Sequence, residues 1–396
     1  MPQLSTRITT LNAGGDDGWG VFYRARAMAE AGAPVTELTI GEHDTGTDPA
    51  ILDAMHAAAR DGQTGYAMVP GNDSLRDVIA SRITDRTGVG TTRDNILVTA
   101  GGQAGLFAAH MAACNPGDTA LFVEPFYATY PGTHSARPAP GPVPSPTRAE
   151  DDFLPDAGDL ARAAQDSGAA SLLVNSPNNP TGAVYPRETL EALSKVAQAH
   201  DLWVISDEVY DTQIWQGAHL SPRALPGMAE RTLVIGSMSK SHAMTGSRIG
   251  WVCAPHEVVE RMVDLATTTT YGLPMYLQEG ARFGLSQGPA FEARISAPFR
   301  RRRALAHEIL GAQDRVGLIP SGGGMFLFLD IRATGLSGEA FADALLDTHG
   351  IAVMPGESFG ASAAGFVRVA MTVPDARFAE ALRTLCAFAA EHSAAA

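Results

Sequence analysis

From about residue 95 to 275, short and nearly continuous apolar runs alternate with segments of helical periodicity, and this alternation constrains the fold more than any other feature. The runs fall at 95–99, 119–123, 171–174, 202–206, 232–235 and 249–253, with helical patterns between several of them, at 103–114, 186–200 and 256–268. Strands that alternate with helices call for a mostly parallel sheet with helices on both faces. A run such as Leu202-Trp203-Val204-Ile205 lacks the in–out alternation of a half-exposed strand and reads as buried on both sides. The expected class is α/β.

The flanks read differently. A helix is expected over 18–31, a strand over 35–40 and helices over 49–60 and 72–87. After 275 come long helical segments, strands at 325–330, 351–354 and 366–370, and a last helix over 375–392. A chain of 396 residues exceeds what one hydrophobic core usually serves. The expectation is therefore a large lobe over 46–275 and a smaller α+β lobe built from both chain ends, 1–45 and 276–396. The Pro-rich piece 137–146 reads as a surface connection, and 393–396 as a fraying end.

Acidic residues number 43 against 29 basic ones, a formal charge of -14, and the one tight basic run is the four arginines at 300–303. Nucleic acid is not an expected partner. Residues 1–15 show no secretory pattern, and the longest mostly apolar stretch, 104–114, is too short to span a bilayer. Cys114, Cys253 and Cys386 are scattered and suggest neither a disulfide framework nor a zinc site, so a reducing cytoplasm is expected. His43, His110 and His242 share no metal-ligand spacing, and no metal is expected. Lysine is more telling: there are two, Lys195 and Lys240, and the other 27 of the 29 basic residues are arginines. In a chain that uses arginine wherever a cation suffices, a retained lysine points to amine chemistry. Lys195, within Glu191-Ala192-Leu193-Ser194-Lys195, reads as a solvated helix residue.

Open α/β sheets bind ligands beyond the carboxyl ends of their strands. There the sequence gathers Asn175-Ser176-Pro177-Asn178-Asn179-Pro180-Thr181-Gly182, Asp207-Glu208-Val209-Tyr210, Gly236-Ser237-Met238-Ser239-Lys240 and Gly101-Gly102-Gln103. Glycines opening a helix let backbone N–H groups approach an anion. A lysine that condenses with an aldehyde, a carboxylate for a ring nitrogen and a phosphate cradle together describe pyridoxal 5'-phosphate. Asp207 would face the ring nitrogen, and Tyr210 and Asn179 the ring's phenolate oxygen. Ser237, Ser239, Arg248 and the backbone of Gly102 and Gln103 would hold the phosphate.

The stretch Ser237-Met238-Ser239-Lys240-Ser241-His242-Ala243-Met244-Thr245-Gly246-Ser247-Arg248-Ile249-Gly250 resembles the lysine signature of the class I/II aminotransferases, the fold-type I pyridoxal-phosphate enzymes. Residues 175–182 resemble their Asn-x-Pro-x-Asn-Pro-x-Gly loop and 206–210 their Asp-Glu-x-Tyr; Gly41-Glu42, 66–71, 355–360 and 366–368 match further blocks. The resemblance is to the bacterial aspartate/aromatic group, and it implies transfer of an amino group from an L-amino acid to a 2-oxo acid. It implies that Lys240 takes the cofactor aldehyde and carries the proton, and that Tyr127 stacks on the cofactor. It also implies that Tyr66 reaches the phosphate of a neighbouring subunit in a homodimer. Arg368 would clamp the substrate α-carboxylate, assisted by Gly41 and Asn179, and the Asn179–Pro180 bond would be cis. A C–S β-lyase of the same fold and a non-catalytic sensor of the cofactor are the alternatives. Two departures bear on substrate. Gln103 stands where aspartate-preferring relatives often carry lysine, and Gly41-Glu42-His43-Asp44 replaces the usual Gly-Glu-Pro. Unless Arg24, Arg26 or a protonated His43 supplies a second cation, donors broader than aspartate are expected.

Overall fold

The computed structural model describes residues 2–9, 18–134 and 142–392, so residues 137–141 of the Pro-rich piece and the end at 393–396 lie outside the described residues. In chain order the strands are β1 (Thr36–Glu37), β2 (Ile96–Ala100), β3 (Ala120–Glu124), β4 (Val143–Pro146), β5 (Ser171–Asn175), β6 (Trp203–Asp207), β7 (Thr232–Ser237), β8 (Ile249–Cys253), β9 (Gly317–Leu318), β10 (Phe326–Asp330), β11 (Ile351–Ala352), β12 (Met354–Pro355) and β13 (Phe366–Ala370). Seven of them form the main sheet in the order β2-β8-β7-β6-β5-β3-β4. Strand β8 runs antiparallel to both neighbours and the remaining pairings are parallel, so the other strands share one direction. The α/β expectation holds.

Alternation along the strands sends side chains to both faces of the sheet. On one face Leu97, Ile205, Leu233, Ile235 and Val252 pack with Leu106 and Ala109 of the helix Gly101–Ala113 and with Val259 and Met262 of the helix His256–Thr269. On the other, Ile96, Val98, Val234 and Trp251 meet Ile51, Leu75, Ala281 and Leu285, while Leu172 and Val204 meet Leu160, Leu190 and Leu193. Helices on both faces are what the unbroken apolar strands require.

A second sheet, β12-β13-β10-β9, is antiparallel and carries its own core with Phe299, Phe341, Leu345, Phe378 and Leu385. β1 pairs in parallel with β11, which joins the N-terminal segment to the C-terminal part of the chain.

Two segments differ from expectation. The strand expected over 35–40 is two residues long, because residues beyond Glu37 leave the pairing and cross the main sheet's rim as a strap. Residues 143–146, expected as connection, form the edge strand β4, paired in parallel with β3. An edge strand tolerates the prolines at 144 and 146 that an interior strand would not. The run expected at 351–354 is divided between two sheets, as β11 and β12. Among the described residues no helix is long and apolar enough to cross a membrane.

Candidate active site

The carboxyl ends of β5, β6 and β7 bring the polar loops together, with Asn175 and Asp207 in register. β7 ends at Ser237, whose Oγ accepts from the Ser239 amide at 3.1 Å and starts the short helix Met238–Ser241 that carries Lys240. The Lys240 ammonium donates to the Gly41 carbonyl of the strap. Gly41 is needed there, since a Cβ would sit 2.6 Å from the Phe326 ring and push the strap away. Burial pulls the Lys240 ammonium down to about 8; the Glu42 carboxylate opposes this, and the Arg368 and Arg248 cations reinforce it.

Asp207 is buried at the end of β6. Its Oδ2 accepts from the Tyr130 hydroxyl at 2.6 Å and its Oδ1 from the Val209 amide at 3.2 Å. Burial nevertheless raises its carboxyl to about 6, because those bonds recover only part of the lost hydration. Asn175 donates to the Asp207 carbonyl at 2.9 Å and accepts from the Asn179 amide at 2.7 Å, which locks the two loops together. The Tyr210 side chain is hydrogen-bonded to Asn179, and burial holds the phenol well above its ordinary range.

Arg368, on β13, is 1% exposed. Its Nη1 donates to Asn179 Oδ1 at 2.8 Å and its Nη2 to the Thr39 carbonyl, and the guanidinium lies 4.2 Å and 4.7 Å from the Phe326 and Phe359 ring centroids. Burial lowers it to about 10. Its Nε is buried without a partner, a donor held ready for a ligand oxygen.

On the adjoining wall, Gly101 opens the helix Gly101–Ala113 at φ +77, where a Cβ would run into the Arg248 guanidinium. Arg248 donates to the Thr245 and Ala100 carbonyls at 2.8 Å and 3.3 Å. A Cβ on Gly102 would lie 3.7 Å from Ser237 Cβ, so Gly102 and Ser237 sit side by side. Gln103 accepts from the Thr129 hydroxyl at 3.1 Å and, with Arg248, lines a cavity of about 1250 Å³. The Tyr127 ring is edge-on to Trp19 at 6.3 Å and to Tyr130 at 5.7 Å.

One chain thus gathers Lys240, Asp207, Tyr210, Asn179, Tyr127, Arg368, Gly41, Ser237, Ser239, Arg248, Gly102 and Gln103 around one rim. Tyr66 stands apart on the surface, 88% exposed, with its ring edge-on to Tyr271. The Asn179–Pro180 bond is cis, as are Glu124–Pro125 and Ser176–Pro177. Sequence reasoning missed Tyr130. Its signal was the Tyr-x-x-Tyr spacing from Tyr127, which one helical turn can place on one side.

The sequence profile of aminotransferase class I and II matches residues 33–385. This chain belongs to that family. It is similar to an arginine–pyruvate transaminase of Pseudomonas aeruginosa, 43% identical over 376 residues, 94% of this chain and 94% of that protein. It is also similar to the aspartate/prephenate aminotransferase of Thermus thermophilus, 34% identical over 364 residues, 91% of this chain and 92% of that one. The fold matches the solved Thermus thermophilus aspartate aminotransferase with maleate at a TM-score of 0.91 and 31% identity, over 98% of this chain and 100% of that one. The protein is accordingly a fold-type I, pyridoxal-phosphate-dependent aminotransferase. Its residues fit the cofactor: a half-buried amine of lowered basicity, a buried carboxylate fixed by two hydrogen bonds, and a glycine-opened helix start closed by an arginine.

Proposed function

We propose that this aminotransferase takes donors with basic or neutral side chains and passes the amino group to a small neutral 2-oxo acid, rather than being built for dicarboxylates. The observation that carries this is the charge of the cavity beside Gln103. Among its described lining residues Arg248 is the one cation, whereas Glu339 and Glu357 are carboxylates. Glu357 Oε1 accepts from the Gly338 and Gly365 amides at 2.9 Å and 3.3 Å, and its Oε2 is buried without a partner, a site suited to a guanidinium or ammonium. The cations that could have served a distal carboxylate are engaged elsewhere. Arg24 pairs with Asp343 and Asp347, and Arg26 with Glu37. His43 is neutral, pushed down to about 3 by burial and the Lys240 charge. A desolvated distal carboxylate without a partner is strongly disfavoured. The 43% identity to an arginine–pyruvate transaminase supports the same direction.

When bound, the cofactor supplies an aldehyde for exchange with the donor amine and an electron-accepting ring. Lys240, with an amine near 8, accepts and returns a proton at Nζ close to neutral pH. Asp207 holds a negative charge opposite the ring nitrogen, oriented by Tyr130 and Val209. Tyr210 and Asn179 would donate to the ring's phenolate oxygen, and Tyr127 would pack on the ring. Ser237, Ser239, Arg248 and the Gly102 and Gln103 amides would hold the phosphate. Arg368 binds the α-carboxylate, with Asn179 and the Gly41 strap completing the pocket.

The exposed Tyr66, Met68 and Tyr271 support a homodimer in which Tyr66 completes the neighbouring site. We place the enzyme in the cytoplasm. We divide the lobes within the helix Pro289–Gly311, later than the 275/276 boundary expected from the sequence, since its Phe291 packs with the main-sheet core and its Phe299, Ala306 and Leu310 with the second. The test of donor class is a half-reaction screen, mixing the cofactor-loaded enzyme with single amino acids and following loss of its visible band. Arginine and neutral donors should match or exceed aspartate in kcat/KM, and a preference for aspartate by orders of magnitude would overturn the reading.

A further inference from the structure

The strap from Thr39 to Asp44 supplies two backbone carbonyls to the site, Thr39 to Arg368 and Gly41 to Lys240; Leu38 just before it is bonded through its amide to Ala352 and through its carbonyl to the Ala370 amide, but the strap itself lies in no strand. Something must fix its register. The Thr372 hydroxyl donates to the Ile40 carbonyl at 3.2 Å, and the Thr245 hydroxyl donates to Glu42 at 2.7 Å, both from side chains at the edge of the site. The strongest hold comes from the second lobe. Arg302, on the helix Pro289–Gly311, is 3% exposed. It donates to both Asp44 oxygens, Nη1 at 2.9 Å and Nη2 at 2.6 Å, to the Met371 carbonyl at 2.9 Å and, through Nε, to Asp375 at 2.9 Å. Met371 directly follows β13, the strand that carries Arg368. One guanidinium therefore ties the strap to the segment behind the carboxylate clamp. Bidentate pairing fixes direction as well as distance, which a lysine at the same place could not do.

We propose that Arg302 and Asp44 form a positioning latch, which sets the strap carbonyls against Arg368 and Lys240 and so preorganises the pocket for the α-carboxylate and amine of either substrate. Neither residue touches the reacting atoms. The phosphate cradle, built on Ser237, Arg248 and the helix start at Gly101, has no bond to this pair. The latch acts on substrate binding and leaves cofactor binding alone.

The proposal rests on Arg368 as the carboxylate clamp, and the experiment separates the two. Asp44→Asn, at the rim of the latch, keeps the size of the side chain and removes the charge. Arg302→Lys keeps the charge and removes the fork. In both, KM for donor and acceptor should rise about tenfold, with kcat within about twofold of the parent and the cofactor bound no more weakly than by the parent. A second reading uses the cofactor-free protein. With the Gly41 carbonyl no longer held against Nζ, the Lys240 ammonium loses an acceptor and should be acetylated about threefold faster, as the free amine becomes more populated. Lys195, exposed on its own helix, is the internal standard in the same digest. Arg368→Leu serves as the control for the clamp. If Arg368→Leu raises KM and folded Asp44→Asn does not, the latch is wrong and the clamp stands. If neither does, both fall. If cofactor Kd weakens in step with KM, the pair is a general structural brace and the proposal is overturned.

Discussion

Replacing Tyr130 by phenylalanine probes the electrostatics of this site most directly. Ionising Asp207 in the fold is disfavoured: its carboxyl moves from 3.8 to about 6, roughly 3 kcal/mol at about 1.4 kcal/mol per pH unit. The sign follows from linkage. The raised group contributes stability to the cofactor-free protein that is fully present below pH 3.8 and lost as pH climbs through about 6. The Tyr130 hydroxyl at 2.6 Å limits that loss by stabilising the ionised form. A hydrogen bond to a charged acceptor contributes about 1.5–3 kcal/mol against about 1 for a neutral one. Tyr130→Phe should therefore raise Asp207 by about one further unit, to about 7. The bound cofactor needs the ionised carboxylate, so its apparent affinity scales with the ionised fraction. At pH 6 that fraction falls from about one half to about one tenth, and the cofactor should bind about fivefold more weakly to the variant. At pH 8 both proteins are mostly ionised and the difference should shrink to within about twofold. Cofactor titration followed by quenching of protein fluorescence, from pH 5 to 8, measures both limbs. A weakening equal at pH 6 and pH 8 would refute the reasoning, since it would mean that Tyr130 acts by packing and not on the charge of Asp207.

Lys240→Ala should abolish turnover and the visible band of the bound cofactor, and borohydride should then leave Lys195 unlabelled; labelling at Lys195 with retained colour would reverse the assignment. Asp207→Asn, which carries no charge at any pH, should bind cofactor more weakly than the parent at pH 8 and lose most of kcat even at saturating cofactor, and near-parental kcat in that variant would remove its role at the ring nitrogen. Glu357→Gln should lower kcat/KM for arginine about tenfold, about 1.4 kcal/mol, and leave alanine within about twofold, in parallel donor assays. Gln103→Lys should raise kcat/KM for aspartate and glutamate relative to neutral donors by a similar factor, and an unchanged ratio would place the distal subsite elsewhere.

Much of the fold was legible because its signals are local. The buried strands β5 to β8 announce themselves as short apolar runs, and the helices Pro49–Arg60 and Asp73–Thr87 as periodic segments between breakers. Lys240 could be singled out because the chain holds one other lysine, and that one lies exposed on a helix. Asp207, Asn179 and Ser237 were legible as polar residues following strands. Strand β4 was hidden by its own prolines, which report on edge position and not on the absence of a strand. The expectation of a strand over 35–40 extended too far for the opposite reason. Residues 35–40 have strand-like composition, but β11 pairs with two of them, Leu38 bonds the backbone of Ala352 and Ala370, and Thr39 and Ile40 are held by the Arg368 and Thr372 side chains.

What escaped sequence reasoning shares one physical character: each feature is a contact between residues far apart in the chain. Tyr130 bonds a carboxylate 77 residues away, Arg368 bonds a carbonyl 329 residues away, and Arg302 reaches Asp44 across 258. The four arginines at 300–303 are a single basic run in the sequence, and side by side they behave differently. Arg301 is 57% exposed beside Asp375, whereas Arg302, one position on, is turned into the junction between the two sheets. A rotation of about 100° per residue separates these environments, and sequence composition cannot distinguish them. The same holds for substrate charge. Gln103 suggested that a cation was missing, but three replacements remained open until Arg24 and Arg26 proved paired and His43 neutral. On the proposed reading, donor choice follows from which charges are already spent on each other, and that pairing is a property of the folded chain.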